Sequence, residues 1–331
     1  MKRYTSTLLV IVLAITAIVW LTSPVSAAKQ IEFTIAIHTD PNHPMFLVGQ
    51  RFKKNIEASM GDKIKVRLLG LEVGGERDHL EGVSSGEYQI ALGGSVPLTL
   101  YAPKFAAPDL PFVYPDSAAA RKLYQGEIGN LMNQSLIEKG DMRLIGLSMR
   151  NPRNLTAKMP VKTPLDIKGV KMRVPQIEPW VKIWASIGAM TSPIAWPEVY
   201  TALQTGVIEM QENPVDIIWN SRIYEVQNHI IPTKHVYSFF HWLINEKFYQ
   251  GLPENDRNAI QSAIDEATAW GDKFVADGAD STLEKLKTEG KMVVVEPDLE
   301  AFRKAAAPAI KEVAKNYHPE VEKYVLSFVK E

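Results

Sequence analysis

The stretch "KGVKMRVP", Lys168–Pro175, carries the clearest indication of the fold. Three apolar residues alternate with Lys171 and Arg173, and this period of two predicts a β-strand with one apolar face. Pro175 lacks a backbone N–H and therefore ends the strand. Arg173 is expected at the carboxyl end of a strand, on the face opposite the apolar side chains.

Helical and strand patterns alternate on both sides of this stretch. The segment "EPWVKIWASIG" (178–188) has apolar residues at helical spacing, and "VIEMQEN" (207–213) has the pattern of a strand. Alternation of this kind predicts an α/β fold. The segments "HLEGVSSGEYQIALGG" (79–94) and "EVYTALQTGVIEMQEN" (198–213) share the order helix, glycine, strand and polar stop. This weak repeat indicates two similar lobes.

The carboxyl-terminal third has a different pattern. The segment "HVYSFFHWLIN" (235–245) is apolar enough to predict one strand that is buried on both faces. Residues 254–289 follow a single helical pattern, with Phe274 among the side chains expected to face inward. A helix of about 35 residues is roughly 50 Å long, so we expect it to lie across both lobes.

The amino terminus has the parts of a secretory signal peptide. Lys2 and Arg3 precede an uncharged apolar run, residues 8–21, and small residues follow it. The run is shorter than the roughly 20 residues that a membrane-spanning helix needs. We expect cleavage after Ala27 or Ala28 and export from the cytoplasm, with an uncleaved membrane anchor as the alternative.

Length and composition indicate an ordinary globular protein. The chain has 331 residues, of which 46% are apolar and 23% charged, so two domains with substantial cores are expected. The formal net charge is −1 and no basic stripe is present, which argues against nucleic-acid binding. The chain has no cysteine, which excludes disulfides, thiolate metal sites and a cysteine nucleophile.

Catalytic and cofactor motifs are missing from the sequence. It contains no G-x-S-x-G, P-loop, H-E-x-x-H or G-x-G-x-x-G pattern. The seven histidines are scattered, and none forms a metal-ligand pair at helical spacing. We therefore expect no cofactor, no metal and no catalytic residue.

Three arginines flank a turn-rich segment between the two proposed lobes, namely Arg150, Arg153 and Arg173. The planar fork of arginine binds a carboxylate through two hydrogen bonds. Ligands of open α/β sheets bind outside the carboxyl ends of the strands, which is where Arg173 is expected. A structural ion pair between Arg173 and a nearby acidic residue is the alternative.

Five further positions allow both a ligand-binding and a structural interpretation. Asn213 could offer its amide to a ligand or cap the next helix, and Trp196 could form a stacking wall or belong to the core. Gly94 and Ser95 could let a ligand approach the backbone or simply form a turn. Glu76 could interact with a helix dipole or bind a ligand hydroxyl.

Three segments together resemble one protein family. "TPLDIKGVKMRVP", "IGAMTSPIAWPEVYTALQTGVIEMQENP" and "YEVQNHI" are similar to the characteristic run of the DctP-type solute-binding proteins of tripartite ATP-independent periplasmic (TRAP) transporters. The resemblance implies a two-lobe α/β periplasmic-binding-protein fold, with a cleft that closes on the ligand and a long helix spanning both lobes. It also implies an organic-acid ligand and a membrane permease as the partner.

The resemblance also implies roles for particular residues. It places the carboxylate-binding arginine at Arg173, a second cleft arginine at Arg153, the cleft asparagine at Asn213 and the aromatic wall at Trp196. The remaining candidates, chosen by their position in the expected cleft, are Glu76, Gly94, Ser95, His38 and Tyr237. A sialic-acid-binding branch has a carboxylate where this chain has Gly94, which argues against that sugar acid as the ligand.

The expected domain organisation follows from the same resemblance. Residues 1–27 form the signal peptide. Residues 28–150 plus 239–278 form lobe I, and residues 151–238 plus 279–331 form lobe II.

We expect a receptor for a small organic acid, a sugar acid or another carboxylate. A monocarboxylate that carries hydroxyls or a ring, such as a uronic or aldonic acid, is favoured over a simple dicarboxylate. In this interpretation Arg173 and Arg153 bind the carboxylate, while neutral groups contact the rest of the ligand. The alternatives are a receptor of an ABC-type importer and a secreted hydrolase that uses Glu76 and His79.

Overall fold

The computed structural model describes residues 30–329 and contains two mixed β-sheets. The predicted signal peptide lies outside the described residues. The strands are β1 (Ile31–Ile37), β2 (Ile64–Leu69), β3 (Ile90–Gly93), β4 (Met142–Met149), β5 (Arg153–Ala157), β6 (Lys171–Val174), β7 (Met190–Pro193), β8 (Met210–Pro214), β9 (His229–Val236), β10 (Phe239–Asn245) and β11 (Val293–Val294).

Twelve α-helices connect and cover these strands in the described part of the chain. They are α1 (Pro44–Met60), α2 (Glu76–Ser85), α3 (Val96–Tyr101), α4 (Ser117–Arg121), α5 (Gly126–Gly140), α6 (Glu178–Ile187), α7 (Val199–Gln204), α8 (Val215–Asn220), α9 (Glu246–Gly251), α10 (Glu254–Thr288), α11 (Leu299–Ala314) and α12 (Pro319–Leu326). Within residues 30–329, none of the helices combines the length and the apolarity required to span a membrane.

The first sheet has the order β2-β1-β3-β10-β4, and the second has the order β11-β9-β5-β8-β6-β7. In the first, β1 runs parallel to β2 and β3, and β10 runs antiparallel to β3 and β4. In the second, β6 runs parallel to β7 and β8, and β5 runs antiparallel to β8 and β9. The predicted α/β fold with two lobes is confirmed.

The apolar segment 235–245 contains the end of one strand and the whole of another, so the prediction of a single strand is wrong. β9 ends at Val236 in the second sheet, and β10 begins at Phe239 in the first sheet. Tyr237 and Ser238 carry the chain from one sheet to the other. Both strands are largely buried, so the apolar pattern continues across the crossover and hides it.

The chain passes between the sheets a second time at residues 150–152, between β4 and β5. The two crossovers are hydrogen-bonded to each other, because the Arg150 backbone N–H donates to the Ser238 carbonyl at 3.2 Å. Two of the predicted lobe boundaries, at 150/151 and 238/239, fall at these crossovers, whereas the third, at 278/279, falls inside α10. The boundaries stay a prediction. At the carboxyl terminus, the Tyr324 hydroxyl of α12 donates to the Ala119 carbonyl at 2.9 Å, so α12 contacts a segment assigned to lobe I.

The long helix α10 runs past both sheets, as predicted. Ile260 and Ile264 belong to the core of the first sheet, whereas Leu286 belongs to a core cluster beside the second. Phe274, which was predicted to face inward, is 43% exposed and stacks on Trp270 with 5.2 Å between ring centroids. Phe274 therefore packs on Trp270 at the protein surface instead of entering the core.

The close approach of α1 to α10 depends on a glycine, and this gives a stability prediction. A methyl group at Gly271 would overlap Cγ2 of Val48, whereas one at Gly278 of the same helix would meet no atom within 4 Å. Gly271→Ala is expected to lower the free energy of unfolding by about 1–3 kcal/mol through overpacking. Gly278→Ala, the matched control, should raise it by about 0.5–1 kcal/mol. Urea denaturation measures both, and equal effects at the two positions would contradict the packing argument.

Candidate ligand-binding site

A cavity of about 290 Å³ lies between the two sheets, where the carboxyl ends of several strands face each other. One wall comes from residues that follow β1 and β3 and from the start of α2. The other wall comes from β6, the residues after it, and β8. This volume is at the lower end of the range for small-molecule pockets, so the cavity suits a small ligand.

The cavity brings together eight of the nine residues predicted to bind the ligand. These are His38, Glu76, Gly94, Ser95, Arg153, Arg173, Trp196 and Asn213. Their roles in binding stay predictions, but their convergence on one cavity is a property of the structure.

Tyr237 is the exception, because it does not line this cavity, and its predicted role in binding stays a prediction. Tyr237 follows the end of β9 and packs against the hydrophobic core. The Tyr237 hydroxyl lies in the field of Arg303 and Asp116, which do not line the cavity.

Arg173 is a buried cation without a counter-charge. Its side chain lies in β6, the residue is 4% exposed, and its Nε donates to the Ile194 carbonyl at 2.9 Å. The guanidinium carbon lies 5.6 Å from the ring centroid of Trp196. Burial lowers the pKa of Arg173 to about 9, so the side chain remains protonated at neutral pH. Within the described chain, it forms no ion pair with a carboxylate.

Arg153 makes the ion pair that was considered for Arg173. Its Nε donates to Glu212 Oε2 at 2.5 Å, and its Nη2 donates to Oε1 at 2.7 Å. His235 Nε2 lies 3.0 Å from the same Glu212 Oε2. Burial alone would raise the pKa of Glu212, but Arg153 and His235 outweigh it and lower the pKa to about 2. The charge of Arg153 is therefore neutralised inside the protein.

Arg150 is a third arginine of the cavity, although it was not among the residues predicted to bind the ligand. It follows β4, and its guanidinium carbon lies 4.7 Å from the ring centroid of Phe240. Its Nε is buried without a hydrogen-bond partner in the described chain. Burial lowers the pKa of Arg150 to about 10, which leaves it charged at neutral pH. Its only signal in the sequence was its place beside the other two arginines.

Two carboxyl groups lie on the same wall as Arg150. Glu76 begins α2, and its Oε1 accepts from the Val96 N–H at 3.3 Å. Asp109 accepts from the Ser95 hydroxyl, and its Oδ1 has no partner in the described part of the chain. Burial raises the pKa of each carboxyl to about 7. Asp109 was missed because it lies in a segment with neither helical nor strand periodicity.

Asn213 lines the cavity from β8 and does not cap a helix. Pro214 occupies the N-cap position of α8, and the helix has no side-chain cap. The Asn213 Nδ2 donates to Gln211 Oε1 at 2.7 Å. The capping alternative is therefore wrong, because the strand continues one residue past Asn213.

The residues of the hydrolase alternative do not form a catalytic pair. His79 is 1% exposed and does not line the cavity, and neither of its ring nitrogens has a hydrogen-bond partner in the described chain. Glu76, which does line the cavity, forms no hydrogen bond with it. Among residues 30–329, no group of three or more acidic or histidine side chains is placed to hold a metal ion.

Comparison with known proteins agrees with this geometry. The family model described as bacterial extracellular solute-binding protein, family 7 (DctP) matches residues 35–316. A solute-binding protein of Roseobacter denitrificans is 31% identical over 93% of this chain and 95% of its own length. The chain belongs to the DctP family of TRAP-transporter solute-binding proteins.

Two solved structures of this family show the same fold. A TRAP periplasmic solute-binding protein of Roseobacter denitrificans, with bound L-galactonate, has a TM-score of 0.84 and 29% identity over 92% of this chain and 100% of that chain. A Polaromonas protein bound to D-erythronate has a TM-score of 0.84 and 28% identity, covering 91% and 100% of the two chains. The 2,3-diketo-L-gulonate-binding periplasmic protein of Escherichia coli is 28% identical over 83% of both chains.

The different surroundings of Arg153 and Arg173 predict different effects on stability. Removing one partner of a buried ion pair costs about 3–5 kcal/mol, because the other charge is left buried and unpaired. Arg153→Met should therefore lower the free energy of unfolding by that amount in the ligand-free protein. Arg173→Met should cost much less, since it breaks no ion pair. Urea denaturation of both variants tests this, and similar losses would show that Arg173 also has a structural partner.

The raised pKa of Glu76 predicts a pH-dependent stability. The unfolded chain releases this proton near pH 4.5, whereas the folded protein holds it until about pH 7. The free energy of unfolding therefore falls as the pH rises between these two values, by at most about 3 kcal/mol, because the unfolded chain loses the proton before the folded protein does. Glu76→Gln should raise the melting temperature more at pH 8 than at pH 5.

Glu81→Gln is the matched control for this variant, because Glu81 is an exposed carboxylate in the same helix. Its melting temperature should follow that of the wild type at both pH values. A stabilisation by Glu76→Gln that does not depend on pH would contradict the titration argument.

Proposed function

We propose that this protein is a periplasmic receptor that binds a small organic acid and delivers it to an ion-gradient-driven TRAP permease. The observation that carries the proposal is Arg173, a protonated guanidinium buried in the cavity without a counter-charge. The receptor binds and releases its ligand unchanged and catalyses no reaction. Residues 1–27 act as a signal peptide that directs export, and its cleavage releases the mature receptor.

The energetics of charge burial favour an anionic ligand. An unpaired buried charge is costly, and a carboxylate that accepts two hydrogen bonds from the fork of Arg173 offsets that cost. Its Nε is already occupied by the Ile194 carbonyl, which leaves the two terminal nitrogens for the ligand. The ring of Trp196 lies 5.6 Å from the guanidinium carbon, and Asn213 lines the same cavity.

The known ligands of relatives support an acid of this size. The solved family members with bound L-galactonate and D-erythronate hold monocarboxylates that carry several hydroxyls. Transfer to a permease is supported by membership in the TRAP family.

The first test is a conservative substitution at Arg173. Arg173→Lys keeps the charge but loses the fork, so affinity for the preferred acid should fall about tenfold or more. A thermal-shift screen of organic acids identifies that acid, because a ligand of the native state raises the melting temperature. Titration calorimetry then compares the wild type, Arg173→Lys and the exposed control Arg222→Lys. Unchanged affinity in Arg173→Lys would contradict the proposed anchor.

A second binding experiment tests whether the negative charge of the ligand is required. The neutral amide of the preferred acid should not bind measurably, because it leaves the guanidinium without a counter-charge. An amide that bound as tightly as the acid would show that the carboxylate is not the recognised group.

A further inference from the structure

One hydrogen bond joins the two walls of the cavity at its opening. Arg77 Nε donates to Gln176 Oε1 at 3.1 Å, between residues that are 99 positions apart in the chain. Both residues line the cavity, and yet the bond between them is exposed to solvent. An exposed bond between two lining residues lies at the rim of the cavity, across the opening through which a ligand passes.

The backbone is fixed at both ends of this bond. Arg77 lies in the first turn of α2, which is held by the Gly75 N–H donating to Asp78 Oδ2 at 2.7 Å. Gln176 lies in a tight turn between β6 and α6, and its two neighbours in the chain close that turn through a backbone hydrogen bond of 2.7 Å. Parting the walls beyond the reach of the two side chains therefore breaks the bond.

The two walls also approach each other closely at a second point near the rim. A carbon atom attached to Gly75 would lie 3.8 Å from Cδ of Pro197, which is an ordinary van der Waals contact. Gly75 directly precedes α2 on the first-lobe wall, and Pro197 directly follows Trp196, which lines the second-lobe wall. The space between the walls at this point is therefore about one methyl group wide.

Exchange of a ligand requires the walls to part. A ligand with a carboxylate and several further atoms cannot pass through a gap of one methyl group, so the bond between Arg77 and Gln176 breaks each time a ligand enters or leaves. The net contribution of a typical hydrogen bond corresponds to a factor of about 3–10 in an equilibrium. A contribution of this size slows the release of a ligand without preventing it.

We propose that Arg77 and Gln176 form a latch that holds the two walls together over a bound ligand and slows its release. The latch acts on the walls and not on the ligand, so it retains every acid that the cavity accepts by the same factor. The inference deepens the proposed receptor function and rests on it for the role of the cavity. The separation of the walls, however, can be measured with and without a ligand.

Single-molecule fluorescence energy transfer between two dyes measures this separation. The chain has no cysteine, so Glu81→Cys in α2 and Lys182→Cys in α6, both at exposed positions, attach one dye to each side of the opening. D-erythronate and L-galactonate are the probes. In Arg77→Ala, the ratio of closed to open molecules should fall about 3–10-fold at every free concentration of acid, including zero. The release rates of both acids should rise by the same factor.

Gln176→Ala tests the other end of the latch. It should have the same effect as Arg77→Ala, and the double variant should have no further effect, because all three lack the same bond. Arg67→Ala is the matched control, since this arginine is exposed, lies in β2 and does not line the cavity. Melting temperatures verify that all variants are folded.

The outcomes separate the latch from the proposed function. Additive effects of the two single substitutions would overturn the latch, because the residues would then act separately. A change in release that differs between the two acids would also overturn it, because it would indicate direct contact with the ligand. Unchanged closure and release in Arg77→Ala, with both acids still bound, overturn the latch and leave the receptor function intact. If neither acid binds, the proposed choice of ligand fails and the ligand-free ratio decides on the latch, which a wild type without closed molecules overturns as well.

Discussion

Arg153 and Glu212 lie on neighbouring strands near the centre of the second sheet, and their ion pair positions most of one cavity wall. Arg153 belongs to β5 and Glu212 to β8, with the next strand, β6, carrying Arg173. The pair is joined by a charge-assisted fork, with His235 from β9 on the same carboxylate. Three strands are thereby tied together directly behind the cavity. A shift of one residue in the register would separate the charges, so the pair also fixes the orientation of Asn213.

The two walls of the cavity carry different kinds of charge. Among the described residues, the second-lobe wall offers one free cation, Arg173, because its other arginine is neutralised by Glu212. The first-lobe wall offers Arg150 together with two carboxyl groups whose pKa values lie near 7. A ligand that contacts both walls therefore meets a charged arginine on one side. On the other side it meets carboxyl groups that bind or release a proton near neutral pH. Arg77 Nε donates to Gln176 Oε1 at 3.1 Å, so a hydrogen bond joins two residues that line the cavity from its different walls.

The local sequence pattern was sufficient to predict the α/β fold and the position of Arg173 at the end of a strand. It was not sufficient to predict the positions of the other two arginines of the site. The alternation around Lys171 and the stop at Pro175 place Arg173 without any knowledge of the tertiary structure. Arg153 was placed in the site by the family resemblance alone, and its ion pair with Glu212, 59 residues away in the chain, was not predicted because periodicity does not contain it. Arg150 and Asp109 lie outside periodic segments. The crossover at Tyr237 was hidden because both flanking strands are buried.

The same charges determine stability and binding in this cleft. Arg173 and Arg150 cost stability in the ligand-free protein, since each is a buried cation that forms no ion pair within residues 30–329. That cost is tolerable because the protein is large enough to bury extensive cores in both lobes. Each cation lowers the pKa of Glu76, but burial outweighs both and leaves the carboxyl protonated up to about pH 7. Were Glu76 and Asp109 ionised in the empty cleft, they would neutralise the arginines and weaken the attraction for an anion. The burial that destabilises the cleft therefore also keeps its cations free for the ligand.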